Sequence, residues 1–237
     1  MGISLNLYNK KGILRGDTLK NLIVKEFKLF KIMVLFSMIL GLIFAYLGVT
    51  QTEAYIVSQI IYTYIIIFLV YLGLMFMSYK ESRVKSDIIF NSLPVKRSDI
   101  VKSKYISFLL YLLLVVGVVY IGSNVFSIIN GTLGKAIRII DVLLVAGLCL
   151  LFISIYLPFE FYNIGKLQVF NTIFYFLIIL LPNIIKKYGN KIVSSSIFKM
   201  IIKLDFNSVA IILLGFSIVF FIISLYVSIA IYERKEF

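Results

Sequence analysis

The residues that usually carry chemistry are scarce in this chain. None of its 237 residues is His, so it can hold no H-E-x-x-H metal site, no Ser-His or Cys-His nucleophile pair and no imidazole relay. The single cysteine, Cys149, lies in an apolar run; it cannot form an internal disulfide and reads as packing. Asp141 and Glu160 stand at the two ends of one apolar run, and Glu53 in a short connection. No carboxylate falls in the middle of a run, which argues against paired-acid hydrolysis and proton-coupled carriage. Asp141 beside Arg138 reads as an ion pair at a helix end. The stretch Gly131-Thr132-Leu133-Gly134-Lys135 superficially resembles a phosphate loop. It has too few residues between its glycines, and Ala136 stands where Ser or Thr would hold magnesium. No catalytic residue and no metal ligand is expected.

The elements that would position any site are membrane helices. Hydrophobic residues make up 61% of the chain, and the mean hydropathy is +1.04, well above a soluble domain. Crossing the hydrocarbon takes roughly 20 apolar residues. Six segments qualify: Ile32–Val49, Ala54–Ser78, Ile106–Ile129, Ile139–Pro158, Leu167–Ile185 and Val209–Tyr232. The expected fold is therefore all-α, a polytopic membrane protein forming a single transmembrane domain over 1–237. The basic N-terminal stretch carries no small-x-small cleavage site after the first run and is expected to remain as an anchor.

The formal charge is +13, from 24 Lys and Arg against 11 Asp and Glu. The basic residues lie between the apolar runs, which suits membrane topology and anionic lipid rather than nucleic acid. With alternating spans and an inner N-terminus, seventeen of them fall on inner segments and seven on outer ones. That asymmetry predicts both termini inside, in the cytoplasm. Residues 1–31 form a cytoplasmic region. Its stretch 18–31, with Lys20, Lys25, Glu26, Phe27 and Lys28, reads as an interfacial amphipathic helix. Residues 186–208, with five lysines and apolar residues at helical spacing, read as an outer amphipathic segment.

Within the spans, Ser, Thr and Gly predominate among the small and polar residues, as close helix packing requires. Gln59, Asn124 and Asn171 are the sharper features, and could line a substrate path. The longest inner connection, 79–105, is patterned. Glu81, Arg83, Lys85 and Asp87 mix signs, Phe90 and Leu93 give a short apolar face, and Pro94 breaks the chain. Ser98 then opens a new helix with Asp99 in its first turn. A short helix exposing apolar and charged groups together suits docking of a soluble partner.

The stretch Asn91-Ser92-Leu93-Pro94-Val95-Lys96-Arg97-Ser98-Asp99-Ile100-Val101-Lys102-Ser103-Lys104-Tyr105 resembles the S-L-P-[VI]-[ST]-R-x-x-[IV]-V-x-x-[KR]-[YF] segment of short ABC-2-type permeases. The order of Lys96 and Arg97 departs slightly from that pattern. Ile155 to Lys166 is similar to the family's P-x-x-[FY]-x-x-G turn between spans four and five. With the six spans, the resemblance covers nearly the whole chain.

The resemblance implies a membrane subunit of an ATP-powered exporter in a bacterial cell membrane. It would pair with a second permease, identical or paralogous, on two copies of a separate ABC ATPase that binds ATP and Mg. Glu81, Arg83, Lys85, Asp87, Phe90, Leu93, Pro94, Arg97 and Asp99 would then form the ATPase-coupling segment, with the basic N-terminal helix beside it. The expected substrate is hydrophobic or amphipathic, with a peptide preferred. The alternative is an ATPase-independent immunity or sensor-anchoring protein that binds a peptide or partner.

Overall fold

Hydrocarbon offers no water to satisfy backbone polar groups, so apolar runs of this length fold as helices, which satisfy those groups internally. The computed structural model describes residues 2–50, 55–84, 96–162, 167–176, 179–180 and 206–235. Among these, α1 spans Gly2–Thr50, α2 Tyr55–Val84, α3 Arg97–Ile129, α4 Ile139–Tyr162 and α6 Phe206–Glu233. A short 3-10 turn, Leu133–Lys135, joins α3 to α4, and α5 is described over 167–176 and 179–180. Every element among the described residues is helical.

Among the described residues, five helices are long and apolar enough to cross a membrane: α1 from Lys31 onward, α2 over Val57–Lys80, and α3, α4 and α6 in full. The chain is a multi-pass membrane protein. The expected span Leu167–Ile185 is described only as α5, and its other residues lie outside the described ones. Most of the expected outer segment 186–208 lies outside them too.

Three boundaries differ from the sequence reading. Residues 18–31 and the first span form one unbroken helix, with no Gly or Pro between Asp17 and Leu40 to interrupt it. Helix α3 starts at Arg97 rather than Ser98, capped by the extended backbone of Lys96 with no side-chain cap. Pro158, expected to end the fourth span, lies inside α4, which continues to Tyr162.

The last difference has a local explanation. Proline has no N–H, so Pro158 leaves the carbonyl of Ser154, four residues earlier, without its helix partner. Ser224 Oγ of α6 donates to that carbonyl. A neighbouring helix thus supplies the bond the proline removes, as membrane helices with internal proline require.

The most extensive packing is α4 against α6 and α1 against α3. Glycines set the closest approaches. A Cβ at Gly73 would collide with the Tyr111 ring, and one at Gly48 with Tyr62. Both tyrosines are fully buried. Tyr111 donates to Leu69 O at 3.0 Å, and Tyr62 to Lys135 O at 3.1 Å. Aromatic rings seat α5, with Phe152 and Phe174 stacked at 4.3 Å and Tyr71 5.1 Å from Phe174.

Gly131 (φ 65°) stops α3. Thr132 N–H reaches Ser127 O at 2.9 Å and Gly131 N–H reaches Ile128 O at 3.2 Å, the paired bonds of a Schellman cap. The glycine pair that superficially resembled a phosphate loop thus includes a helix stop. Arg138 then forks onto Asp141, Nε to Oδ2 at 3.0 Å and Nη2 to Oδ1 at 3.3 Å, the helix-end pair the sequence predicts.

Candidate functional site

One end of the bundle gathers the start of α3 and the ends of α2, α4 and α6. It is called here the Arg97 end. Helical periodicity puts Ile100, Val101, Lys104, Tyr105 and Phe108 on the buried face of α3. Lys104 is therefore carried into the bundle, where its Nζ lies 2.8 Å from Glu160 Oε1, with both side chains 5% exposed. The ammonium also sits over the Phe161 ring, 5.3 Å from its centroid. A charge this deep persists only when paired and hydrogen-bonded.

Glu160 is held from a second side. Ser78 Oγ of α2 donates to Glu160 Oε1 at 2.6 Å and lies 3.0 Å from the Tyr156 hydroxyl. Asn171 Nδ2 of α5 donates to Tyr156 at 3.1 Å, and Tyr71 donates to Asn171 O at 2.7 Å. Proton counting orders the chain of bonds. With the Ser78 proton on the carboxylate, Tyr156 donates to Ser78 and accepts from Asn171. Four helices thus converge on one carboxylate.

A second hydroxyl chain ties α3 and α4 to α6. Tyr105 lies 2.7 Å from both Ser224 and Ser228. Ser224 spends its proton on Ser154 O, so Tyr105 donates to Ser224 and accepts from Ser228. At the rim, Arg97 Nη1 donates to Glu233 O at 3.0 Å and Lys235 O at 2.9 Å. These are carbonyls at the end of α6 that lack helical partners.

The coupling residues expected from sequence are only partly described. Arg97 is half-buried against the end of α6, and Asp99 is 5% exposed in the first turn of α3. Glu81 and Arg83 stand in the last turn of α2, with side chains outside the described set. Lys85, Asp87, Phe90, Leu93 and Pro94 lie outside the described residues. On α1, Lys20 and Lys28 are exposed, Phe27 is half-buried, and Glu26 is 3% exposed. Lys25 Nζ lies 4.0 Å from Glu26 Oε1.

The three amides expected to line a path do not share a site. Gln59 Nε2 bonds Ala136 O at 3.1 Å, at the opposite end, and Asn124 Nδ2 bonds Tyr120 O of its own helix at 2.8 Å. Asn171 sits at the Arg97 end. Sequence reasoning missed the Lys104–Glu160 pair, taking Glu160 for the end of a span. The signal was there: Lys104 recurs at helical spacing with Ile100 and Phe108.

The sequence resemblance leads one to expect six spans, and five helices long and apolar enough to cross a membrane stand among the described residues. The family model for the ABC-2 family transporter protein matches residues 21–233. The chain belongs to the ABC-2 transporter family. Comparison with curated proteins and with solved structures gave no match. Transporters of the ABC-2 family usually work with a separate ABC ATPase. In this ABC-2 protein the match takes in every residue of the Lys104–Glu160 cluster.

Proposed function

We propose that this chain is the permease subunit of an ABC exporter. It moves a hydrophobic or amphipathic substrate, a peptide by preference, outward across a bacterial cell membrane. ATP and Mg are bound by a separate ATPase present in two copies, and a second permease, identical or paralogous, completes the complex. Both termini and the segment 79–105 face the cytoplasm, where the ATPase docks.

The observation that carries this reading is the family match over 21–233. The Lys104–Glu160 pair supports a mechanism within it. Arg97 begins α3 directly after the segment expected to dock. Buried pairs and hydroxyl chains join α3 to α2, α4, α5 and α6 close to that start. A push on the docking segment would therefore move several helices together rather than bend α3 alone. Packed helices shift between discrete arrangements rather than deforming continuously.

Inverted membrane vesicles containing the chain and its ATPase test the reading. A fluorescent amphipathic peptide should accumulate inside them only when ATP is supplied. Equal accumulation without the ATPase subunit rejects it in favour of an ATPase-independent role.

A further inference from the structure

A cavity of about 330 Å³ opens between α2 and α5 at the Arg97 end, at the lower edge of the about 300–1,000 Å³ typical of ligand pockets. Most of its exposed surface is apolar, from Met75, Tyr79, Leu167 and Tyr175; Ser78, Gln168 and Thr172 also line it, and the lining includes no charged residue. Asn171 also lines it and is 8% exposed. The amide nitrogen of Asn171 is committed to Tyr156, while its Oδ1 is buried with no hydrogen-bond partner. A buried acceptor left unmatched is costly, and a donor arriving from outside would relieve that cost.

We propose that this pocket binds neutral amphipathic molecules that present an amide N–H to Asn171 Oδ1 beside an apolar body. A largely apolar surface with a few uncharged polar side chains selects such a ligand over an ion, whose desolvation no charge in the lining would offset. The inference deepens the permease reading by naming a substrate class, and rests on it only for the claim that the ligand is transported. Through Asn171, Tyr156, Ser78 and Glu160, an occupied pocket is also joined by hydrogen bonds to Lys104 at the start of α3.

The chain has no Trp, so one introduced indole reports one position. Tyr175→Trp places it on the pocket wall, and Ile222→Trp places it on the exposed face of α6. The probe is 11-bromoundecanamide, whose bromine quenches a nearby indole. Its N,N-dimethyl derivative keeps the apolar body and loses both N–H donors. With the full chain in nanodiscs, the primary amide should half-quench the pocket indole at about one tenth of the concentration its derivative needs. The α6 indole should respond to both alike, and Asn171→Leu in the Tyr175→Trp background should erase the preference. Equal potency of the two probes at the pocket overturns the site. That comparison needs no change at Asn171, so it stands even if Asn171→Leu fails to fold. Binding is read without ATP or transport, so failure of this site and failure of the permease reading are told apart.

Discussion

Lys104 of α3 and Glu160 of α4 meet at 2.8 Å inside a bundle that keeps both 95% covered. Each stands on a different helix, just outside its apolar run, and each is tolerable at this depth only because of the other. Removing one partner of a buried pair strands a charge and costs about 3–5 kcal/mol. Lys104→Met and Glu160→Leu should each lower thermal stability sharply in detergent, while the double variant recovers most of the loss. A double variant no more stable than either single one would show that the two charges are not coupled.

The proline in α4 makes a second prediction. Ser224→Ala leaves Ser154 O unsatisfied, a cost of about 1–3 kcal/mol. Pro158→Ala restores an N–H that can serve the same carbonyl. The penalty of Ser224→Ala should therefore shrink in the Pro158→Ala background. A double-mutant cycle by thermal unfolding reads the coupling, and strict additivity contradicts the assignment.

Glycine substitutions should divide by what faces them. Gly73→Ala and Gly48→Ala drive a methyl into Tyr111 and Tyr62, and overpacking of this kind costs about 1–3 kcal/mol. Nothing lies within 4 Å of a Cβ at Gly117, so Gly117→Ala should be neutral or slightly stabilising through helix propensity. Melting curves of the three variants in one detergent make the comparison.

Arg97→Ala removes two charge-assisted bonds to the end of α6. Backbone amides over 228–235 should then exchange with deuterium several-fold faster, while those in the middle of α4 stay unchanged. Unchanged exchange at the end of α6 would mean that Arg97 does not hold it.

Much of this architecture was legible in the sequence. Apolar runs of about twenty residues announced the described spans, because the backbone has no alternative to the helix in hydrocarbon. Arg138 and Asp141, three residues apart, announced their own pair. Pro158 was misread as a stop because a single run cannot show that Ser224, seventy residues after Ser154, will satisfy the carbonyl the proline frees. The Lys104–Glu160 pair was missed for the same reason, since each charge alone looks like the edge of a span. Gln59, Asn124 and Asn171 looked alike as polar residues in apolar runs, and only the packing of helices separates them. Long-range pairing is what a run-by-run reading cannot supply.

The central claim is that a nucleotide-hydrolysing subunit engages the Arg97 end. Lys96 is exposed there, and Gly134 is exposed at the opposite end. A photo-crosslinking amino acid at each position, activated in cells, tests the claim directly, with mass spectrometry identifying the product. The account predicts that position 96 captures a protein bearing ABC ATPase motifs and that position 134 does not. Capture of that ATPase from position 134, or its absence at position 96 in a complex that still hydrolyses ATP, would contradict it.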